Sequence, residues 1–418
     1  MAAFPVVVVT GANAGVGFGI CQRLLFQLCT STPRDSEPEP WSTRDNDLAL
    51  EPPTANGLTL ILACRSVKKA EAARDDLYHL LDGHIKTLRA HAEYDGYADD
   101  FRHNLTIEVE HLDLAEISSV FDFAARVSKR HSYISHLILN AGIAPFAHIK
   151  WLVAIRQVLH NLFEAITRPA FYAQTVGELT DDGLGFTFQC NYFGHYVLFR
   201  ALEPQLHNTT YAPDSRVIWS SSLGALPQHY DKADWQHVKN EYSYEAVKYQ
   251  IDLAGTALDL HALRDPPVDK RVRHFVSQPG VAHTKISGNL VAVGGLLDTL
   301  KLCLFYVGRF FNTRHHSISS MNAAIATVHL SLVALSFVTF FTIPAKSKSN
   351  GGANGSANGH SQTFKPVRFG SETDRWGNAE VGLTPVCDWE ENKEYAEELL
   401  VKSSDLYDSF VRARQKSA

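Results

Sequence analysis

Three clusters of residues in this 418-residue chain have the types and spacing to do chemistry. Tyr244-Glu245-Ala246-Val247-Lys248 puts a phenol and an ammonium at i and i+4, on one face of a helix. A nearby ammonium favours phenolate, lowering a pKa that starts near ~10 and preparing Tyr244 for proton transfer. Val217-Ile218-Trp219-Ser220-Ser221-Ser222 reads as a strand that delivers hydroxyls at its C-terminal end, where α/β sheets place ligands. Thr10-Gly11-Ala12-Asn13-Ala14-Gly15-Val16-Gly17 is a glycine-rich turn with G-x-x-x-G-x-G spacing. Its glycines allow a tight turn and close approach to a pyrophosphate, and a following helix N-terminus supplies unpaired N–H donors. Tyrosine occurs 15 times, so one Tyr-x-x-x-Lys match means little by itself. The company it keeps gives it meaning.

The elements that must position these clusters follow from the hydrophobic pattern. Val6–Val9 is a β-branched strand ending in the glycine turn, and Ile20, Leu24, Leu25 and Leu28 follow at helical spacing. Residues 31–57, rich in proline and acidic residues, read as a disordered surface insertion. Asp35 and Glu37 stand at the count expected for a ribose-binding acid, but they lie in that insertion and are rejected for the role. The second strand, Leu58–Cys64, ends at Arg65, whose guanidinium can pair with a 2′-phosphate, favouring NADPH over NADH. Further strands are expected at Ile107–Leu112, His136–Leu139, Val217–Trp219 and Arg273–Ser277, with helical stretches between. That alternation implies βαβ units in a mostly parallel sheet.

Composition excludes other classes. Apolar residues make up 45% of the chain, enough for a sizeable core. A net charge of −6 leaves no basic surplus for a phosphate backbone, so no nucleic-acid partner is expected. Six irregularly spaced cysteines with no C-x-x-C pair argue against a disulfide framework and a zinc site. His315-His316 finds no completing carboxylate or thiol, so no metal is assigned. Residues 317–345 carry no Asp, Glu, Lys or Arg and leave three readings open: a transmembrane helix, a buried core helix, or a segment that dips into one leaflet. Residues 346–363 read as a flexible linker, and Trp389–Gln415 as an amphipathic helix with acidic residues early and basic ones late.

Taken in order, these motifs resemble the short-chain dehydrogenase/reductase family, whose signature is T-G-x-x-x-G-x-G, N-A-G, a strand-end Ser and Y-x-x-x-K. Here they are Thr10–Gly17, Asn140-Ala141-Gly142, Ser220–Ser222 and Tyr244–Lys248. His111-Leu112-Asp113-Leu114, Gln189-Cys190-Asn191 and Gln278-Pro279-Gly280-Val281-Ala282-His283-Thr284 add three further matches. The resemblance implies an α/β, Rossmann-like, doubly wound parallel sheet with a hydrophobic C-terminal extension.

It also implies roles. Tyr244 would donate a proton to a carbonyl oxygen, and Lys248 would lower the Tyr pKa and bind the nicotinamide ribose. Ser222, with Ser221 as the alternative, would orient the carbonyl, and Asn191 would hold a relay water. Thr10, Gly11, Gly15, Val16, Gly17, Arg65, Asp113, Asn140, Ala141, Gly142, Pro279, Val281 and Thr284 would contact NADPH.

Two insertions depart from the family pattern: residues 225–243, and the substrate-side insertion 144–184. The second resembles the 3-keto-sterol reductase branch of fungal ergosterol synthesis. The expected organisation is a core over 1–288, hydrophobic substrate- or membrane-associated helices over 289–345, the linker, and a C-terminal segment over 364–418. The implied reaction is NADPH-dependent reduction of the 3-keto group of a C-4-demethylated sterol to the 3β-alcohol. Another lipid carbonyl, such as a 17-ketosteroid, retinal or 3-ketoacyl chain, is the alternative; a non-catalytic nucleotide-binding scaffold would usually lack the Tyr/Lys/Ser set. Apolar stretches 144–176 and 286–311 could wall a sterol pocket. The implied partners are a sterol, the other sterol C-4 demethylation enzymes, and the endoplasmic reticulum membrane at its cytosolic face or a lipid-droplet surface.

Overall fold

In β1 (Val6–Thr10) side chains alternate across the strand: Val6 and Val8 join one apolar layer, Val7 and Val9 the other. The computed structural model describes residues 3–42, 56–211, 213–264, 270–284, 295–311, 313–338, 342–344 and 364–417. After β1 come α1 (Gly15–Leu28), β2 (Leu58–Cys64), α2 (Val67–Leu88), α3 (Tyr97–His103), β3 (Leu105–His111), α4 (Ile117–Arg130) and β4 (His136–Leu139). The insertion then forms a small antiparallel hairpin, β5 (Phe146–Ile149) and β6 (Tyr172–Gln174), with α5 (Trp151–His160) and α6 (Leu162–Thr167) between its strands.

A short α7 (Phe186–Phe188) runs through a π-helical stretch, Gln189–Phe193, into α8 (Gly194–Leu206). The core continues with β7 (Ser215–Ser220), α9 (Ser243–Arg264) and β8 (Val272–Gln278). Beyond it lie α10 (Leu296–Phe310), α11 (Ser320–Ala323), α12 (Ile325–Leu332), β9 (Thr342–Pro344), β10 (Phe364–Thr373), β11 (Ala379–Pro385) and α13 (Trp389–Ser417).

The central sheet has the order β3-β2-β1-β4-β7-β8-β10-β11, with β9 pairing β10 alongside. All pairs from β3 to β10 are parallel: Val8 faces Ile61 and Leu137, Leu137 faces Val217, and Ser277 faces Phe369. Only β11 and β9 run antiparallel to β10. Helices α1, α2 and α12 cover one face, and α4, α8, α9 and α13 the other. This is the expected doubly wound Rossmann-like fold. Strand order reverses between β1 and β4, which opens a crevice at their carboxyl ends where such sheets hold ligands.

One expectation needs correction. Residues 31–42, read as part of a disordered insertion, are ordered: Asp35 is buried and paired with Arg23 at 2.5 Å, and the Trp41 indole donates to the Val381 carbonyl at 3.3 Å. Proline-rich composition suggested disorder, but each anchor is a partner that composition cannot reveal. Positions 43–55 of that insertion and the 346–363 linker lie outside the described residues.

Of the three readings for 317–345, the described part follows the buried one: α12 is buried from Ile325 to Ser331 against α1 and the sheet. Its last carbonyls are satisfied from the sheet. Arg216 Nη1 donates to Leu330 O and Val333 O at 2.7 Å each, and His136 Nε2 meets Ser331 O at 3.0 Å. Among the described residues, no helix is long and apolar enough to cross a membrane.

Candidate active site

The glycine turn sits at the strand-order reversal and is tied to both neighbouring strands. Thr10 is fully buried; its Oγ1 accepts from the Asn140 and Ala141 amides at 2.9 Å each and meets His195 Nε2 at 3.0 Å. Asn140 Nδ2 returns a bond to Thr10 O at 3.0 Å. Gly15 has φ +55°, a conformation that side chains with a Cβ resist. A Cβ on Gly17 would run into the Gly11 carbonyl and come within 2.6 Å of Asn140 Nδ2. Ala14 leads into α1 without a side-chain cap, so the first helical N–H groups are left for an anion. Val16 lies in that first turn, partly buried.

The rest of the expected cofactor set surrounds this turn. Arg65 follows the last residue of β2 with its side chain 74% exposed, its Nε 4.0 Å from Asp113 Oδ2. Asp113 Oδ1 accepts from the Ala115 amide at 3.0 Å, which fixes the turn after β3. Thr284 lies beside Gly15: its Cγ2 would stand 3.5 Å from a Cβ there. Pro279 and Val281 are held from the far side of the turn, with Ser317 Oγ donating to Pro279 O at 2.9 Å and the Val281 amide to His315 O at 2.7 Å. Turn and helix N-terminus together fit the pyrophosphate of a nicotinamide dinucleotide. Among the described residues, no group of His, Cys, Asp or Glu could hold a metal ion.

Ser222, Tyr244 and Lys248 converge at the carboxyl end of β7. Burial pushes the Tyr244 phenol up to about 12, opposed by the neighbouring Ser222 hydroxyl and assisted by the charge of Glu245. Ser222 Oγ also accepts from the Gly224 amide at 3.2 Å. Ser221 turns away, its hydroxyl 3.4 Å from the Lys248 carbonyl, and Ser220 contributes only its carbonyl. Lys248 is buried; its Nζ donates to Ser220 O at 2.7 Å and stands 5.8 Å from the centre of the Tyr244 ring.

The expected net lowering of the phenol pKa is therefore not reached, because burial outweighs whatever the neighbouring ammonium contributes. Desolvation governs both groups, holding the phenol high and pulling the ammonium down to about 8, with the nearby Asp252 charge partly restoring it. The consequence suits a proton donor. The phenol is neutral at physiological pH.

Asn191 falls in the π-helical stretch and is fully buried. Its side chain is committed at both ends: Oδ1 accepts from the Ile143 amide at 2.7 Å, and Nδ2 donates to Ile143 O at 2.9 Å. The amide thus braces the turn after Asn140-Ala141-Gly142, and Gly142 is the residue that leaves it room.

Residues that no motif announced also shape the site. Gln174, at the end of β6, accepts from the Tyr244 amide at 2.9 Å and from Ser243 Oγ at 3.2 Å, while its Nε2 donates to Glu245 Oε2 at 2.5 Å. It caps the helix that carries the phenol. Phe146 of the same hairpin stands 5.9 Å from the Tyr244 ring, and Arg168 Nε donates to the Leu223 carbonyl at 3.2 Å. The insertion therefore roofs the reacting hydroxyls. It also meets the second apolar stretch, with Phe163 and Phe311 rings 6.0 Å apart and Ile166 against Gly308. The outer faces are open: Leu152 is 85% exposed, Leu159 82%, Leu296 86% and Phe311 65%.

Known proteins similar to this chain include reductases. The chain is 28% identical over 341 residues to the 3-keto-steroid reductase of Kluyveromyces lactis, covering 80% of this chain and 82% of that one. It is 28% identical over 414 residues to the 3-keto-steroid reductase of Aspergillus fumigatus, covering 92% and 82%. Against the 3-keto-steroid reductase/17-beta-hydroxysteroid dehydrogenase 7 of Rattus norvegicus, identity is 28% over 330 residues, covering 78% and 80%. Among solved structures, the L-sorbose reductase of Gluconobacter frateurii, complexed with NADPH and L-sorbose, is 15% identical with a TM-score of 0.47, covering 79% of this chain and 90% of that one. No protein-family model matches the chain.

Proposed function

We propose that this oxidoreductase, a relative of the 3-keto-steroid reductases, uses NADPH to reduce the 3-keto group of a C-4-demethylated sterol intermediate to the 3β-alcohol. The observation that carries the reading is the convergence of Ser222, Tyr244 and Lys248 at the end of β7 beside the glycine turn, with Lys248 Nζ held by Ser220 O at 2.7 Å and 5.8 Å from the Tyr244 ring. Thr10, Gly11, Gly15, Val16 and Gly17 would hold the pyrophosphate, Asp113 the adenine side, and Asn140, Ala141 and Gly142 the neighbouring ribose. Lys248 would hold the nicotinamide ribose, Pro279, Val281 and Thr284 the carboxamide, and Arg65 the 2′-phosphate. When bound, the reduced nicotinamide supplies the hydride.

The chain's own residues manage the proton. The Ser222 hydroxyl orients the ketone, and Tyr244, neutral below about pH 12, gives its proton to the developing alkoxide. Lys248 carries its charge below about pH 8, which favours the phenolate left after the transfer. The Ser220 carbonyl holds that ammonium at the site.

An apolar wall from the insertion and α10 suits a rigid, largely apolar body with one polar end. The exposed apolar faces of α5 and α10, with Arg156 exposed on α5, suit contact with a lipid surface. This supports the endoplasmic reticulum membrane, on its cytosolic face, or a lipid droplet as the working place. The other sterol C-4 demethylation enzymes would be neighbours there. The rat relative's name favours one second reading, a 17-ketosteroid substrate.

The test is turnover of 4-methylzymosterone with NADPH, beside a panel of 17-ketosteroids, retinal and 3-ketoacyl chains. Tyr244→Phe should lower kcat by ~10²–10⁴-fold while cofactor binding is kept. Normal turnover in Tyr244→Phe would end the proposed mechanism, and reduction of panel ketones alone would end the sterol assignment.

A further inference from the structure

We propose that Arg368 is a positioning residue of the active site, reaching from the C-terminal strand to fix the main chain at Ser222 and thereby the hydroxyl that meets Tyr244. This rests on the roles given above to Ser222 and Tyr244. The need for such a residue follows from where β7 stops. Its last ladder pair is Ser220 with Ser277, and the Ser221 amide makes one further bond to Ser277 O at 2.7 Å. At Ser222 the chain leaves the sheet, carrying the hydroxyl whose placement decides whether a ketone oxygen is held beside the phenol.

Two groups hold the Ser222 carbonyl: the Ala225 amide at 3.2 Å, within the same loop, and Arg368 Nη1 at 3.0 Å, from a separate element. The loop bond moves with the loop. The guanidinium does not, because its own strand is fixed on both sides: Arg368 pairs with Thr384 of β11, and its neighbour Phe369 with Ser277 of β8. The same Nη1 donates to Asp252 Oδ2 at 2.9 Å, and both side chains are fully buried. Asp252 lies on α9, one turn beyond Lys248 and two beyond Tyr244. One buried nitrogen therefore ties the serine loop to the helix carrying the other two groups. Reacting geometries are sensitive to such ties, since an error of ~1 Å can cost roughly 10²-fold in rate.

A simpler account is that Arg368 only neutralises a buried carboxylate, and the experiment separates the two. Arg368→Met, Arg368→Lys, Asp252→Asn and the double variant Asp252→Asn/Arg368→Met would be compared by thermal melting, cofactor binding and steady-state ketone reduction. In Arg368→Met the lone buried carboxylate should lower the melting temperature. In the double variant that charge is gone, so melting and cofactor binding should recover towards wild type.

Under the proposal, kcat in the double variant stays at least about tenfold below that of Asp252→Asn, which shares its change beside Lys248, with KM for NADPH within about threefold, because only the loop's own Ala225 amide is left on the Ser222 carbonyl. Arg368→Lys, which keeps a charged donor on a shorter stem, should recover part of kcat. Recovery of kcat together with stability in the double variant would overturn the proposal, as would full activity in Arg368→Met. The assay uses whichever ketone the wild type reduces. Wild-type turnover of a panel ketone but no 3-keto sterol would thus sink the substrate assignment and leave Arg368 under test.

Discussion

Two apolar helices beyond β8 met opposite fates. α12 comes from the stretch without a single charged side chain and is buried under the sheet from Ile325 to Ser331. α10 carries Asp298, Lys301 and Arg309, yet it leaves Leu296, Leu300, Tyr306, Val307 and Phe310 exposed. Ranked by charge alone, α12 would be assigned to lipid and α10 to the core. The difference lies in what each helix can dock on. α12 finds carbonyl partners in Arg216 and His136, a close seat beside α1, and no solvent-facing side. α10 is seated along one side alone, by Phe305 5.4 Å from the His316 ring, Gly308 against Ile166 of α6, and a salt bridge from Asp298 to His283 at 3.0 Å. Apolar content marks a surface that must be covered, and the partners present decide whether the protein covers it.

The contrast breaks if the two helices respond alike to the same insult. The largest effect is expected from Val328→Asp, which buries an unpaired carboxylate and should cost on the order of 4 kcal/mol or more, read as loss of a cooperative melt. Leu330→Ala, which leaves a cavity in the same layer, should cost about 2–5 kcal/mol in denaturant unfolding. Leu296→Ser in α10 should change stability by no more than ~0.5 kcal/mol, while co-sedimentation with lipid vesicles falls. If Leu296→Ser destabilised the protein as Leu330→Ala does, α10 would be a core helix after all.

Acid sharpens the same contrast. Burial, with the Arg216 charge next to it, pulls His136 down to about 3, and burial also lowers His329. A histidine whose folded pKa lies below its unfolded value makes the unfolded chain the better proton acceptor. The stability tied to its neutral form is complete above about pH 6.5 and drains away as pH falls toward 3. Amide protection factors, corrected for the intrinsic exchange rate, should therefore fall in α12 and β4 between pH 7.5 and pH 5. His136→Gln, which keeps a donor for Ser331 O, should flatten that response.

What could be read in the sequence was local. The turn at Thr10–Gly17, the strand-end serines and the Tyr244/Lys248 spacing each depend on neighbours a few residues away. They stand in the structure where β1, β7 and α9 were expected. The strands expected at His136–Leu139 and Arg273–Ser277 are found at His136–Leu139 and Val272–Gln278, each a short stretch set off from helical patterns on either side. Partners distant in the chain were not legible. Asp35 is ordered by Arg23 and by its carbonyl's bond to His329, 294 positions away. Gln174 caps α9 from a hairpin whose sequence reads as an apolar insertion. The state of Lys248 depends on burial, which i,i+4 spacing does not report. Arg368 sits in a stretch, Arg368-Phe369-Gly370-Ser371, with nothing to connect it to a serine 146 positions earlier.

The hairpin of β10 and β11 has a further consequence, for biosynthesis. β8 finds its outer neighbour only when Phe369 and Gly370 arrive, more than ninety residues after Ser277 and Gln278. Until then a nascent chain presents a row of unsatisfied amides and carbonyls along β8, the kind of border that invites pairing with a stranger. Contacts this far apart in the chain form slowly. A ribosome stalled before codon 364 would thus release a sticky intermediate, and chaperone demand should drop once that hairpin has emerged.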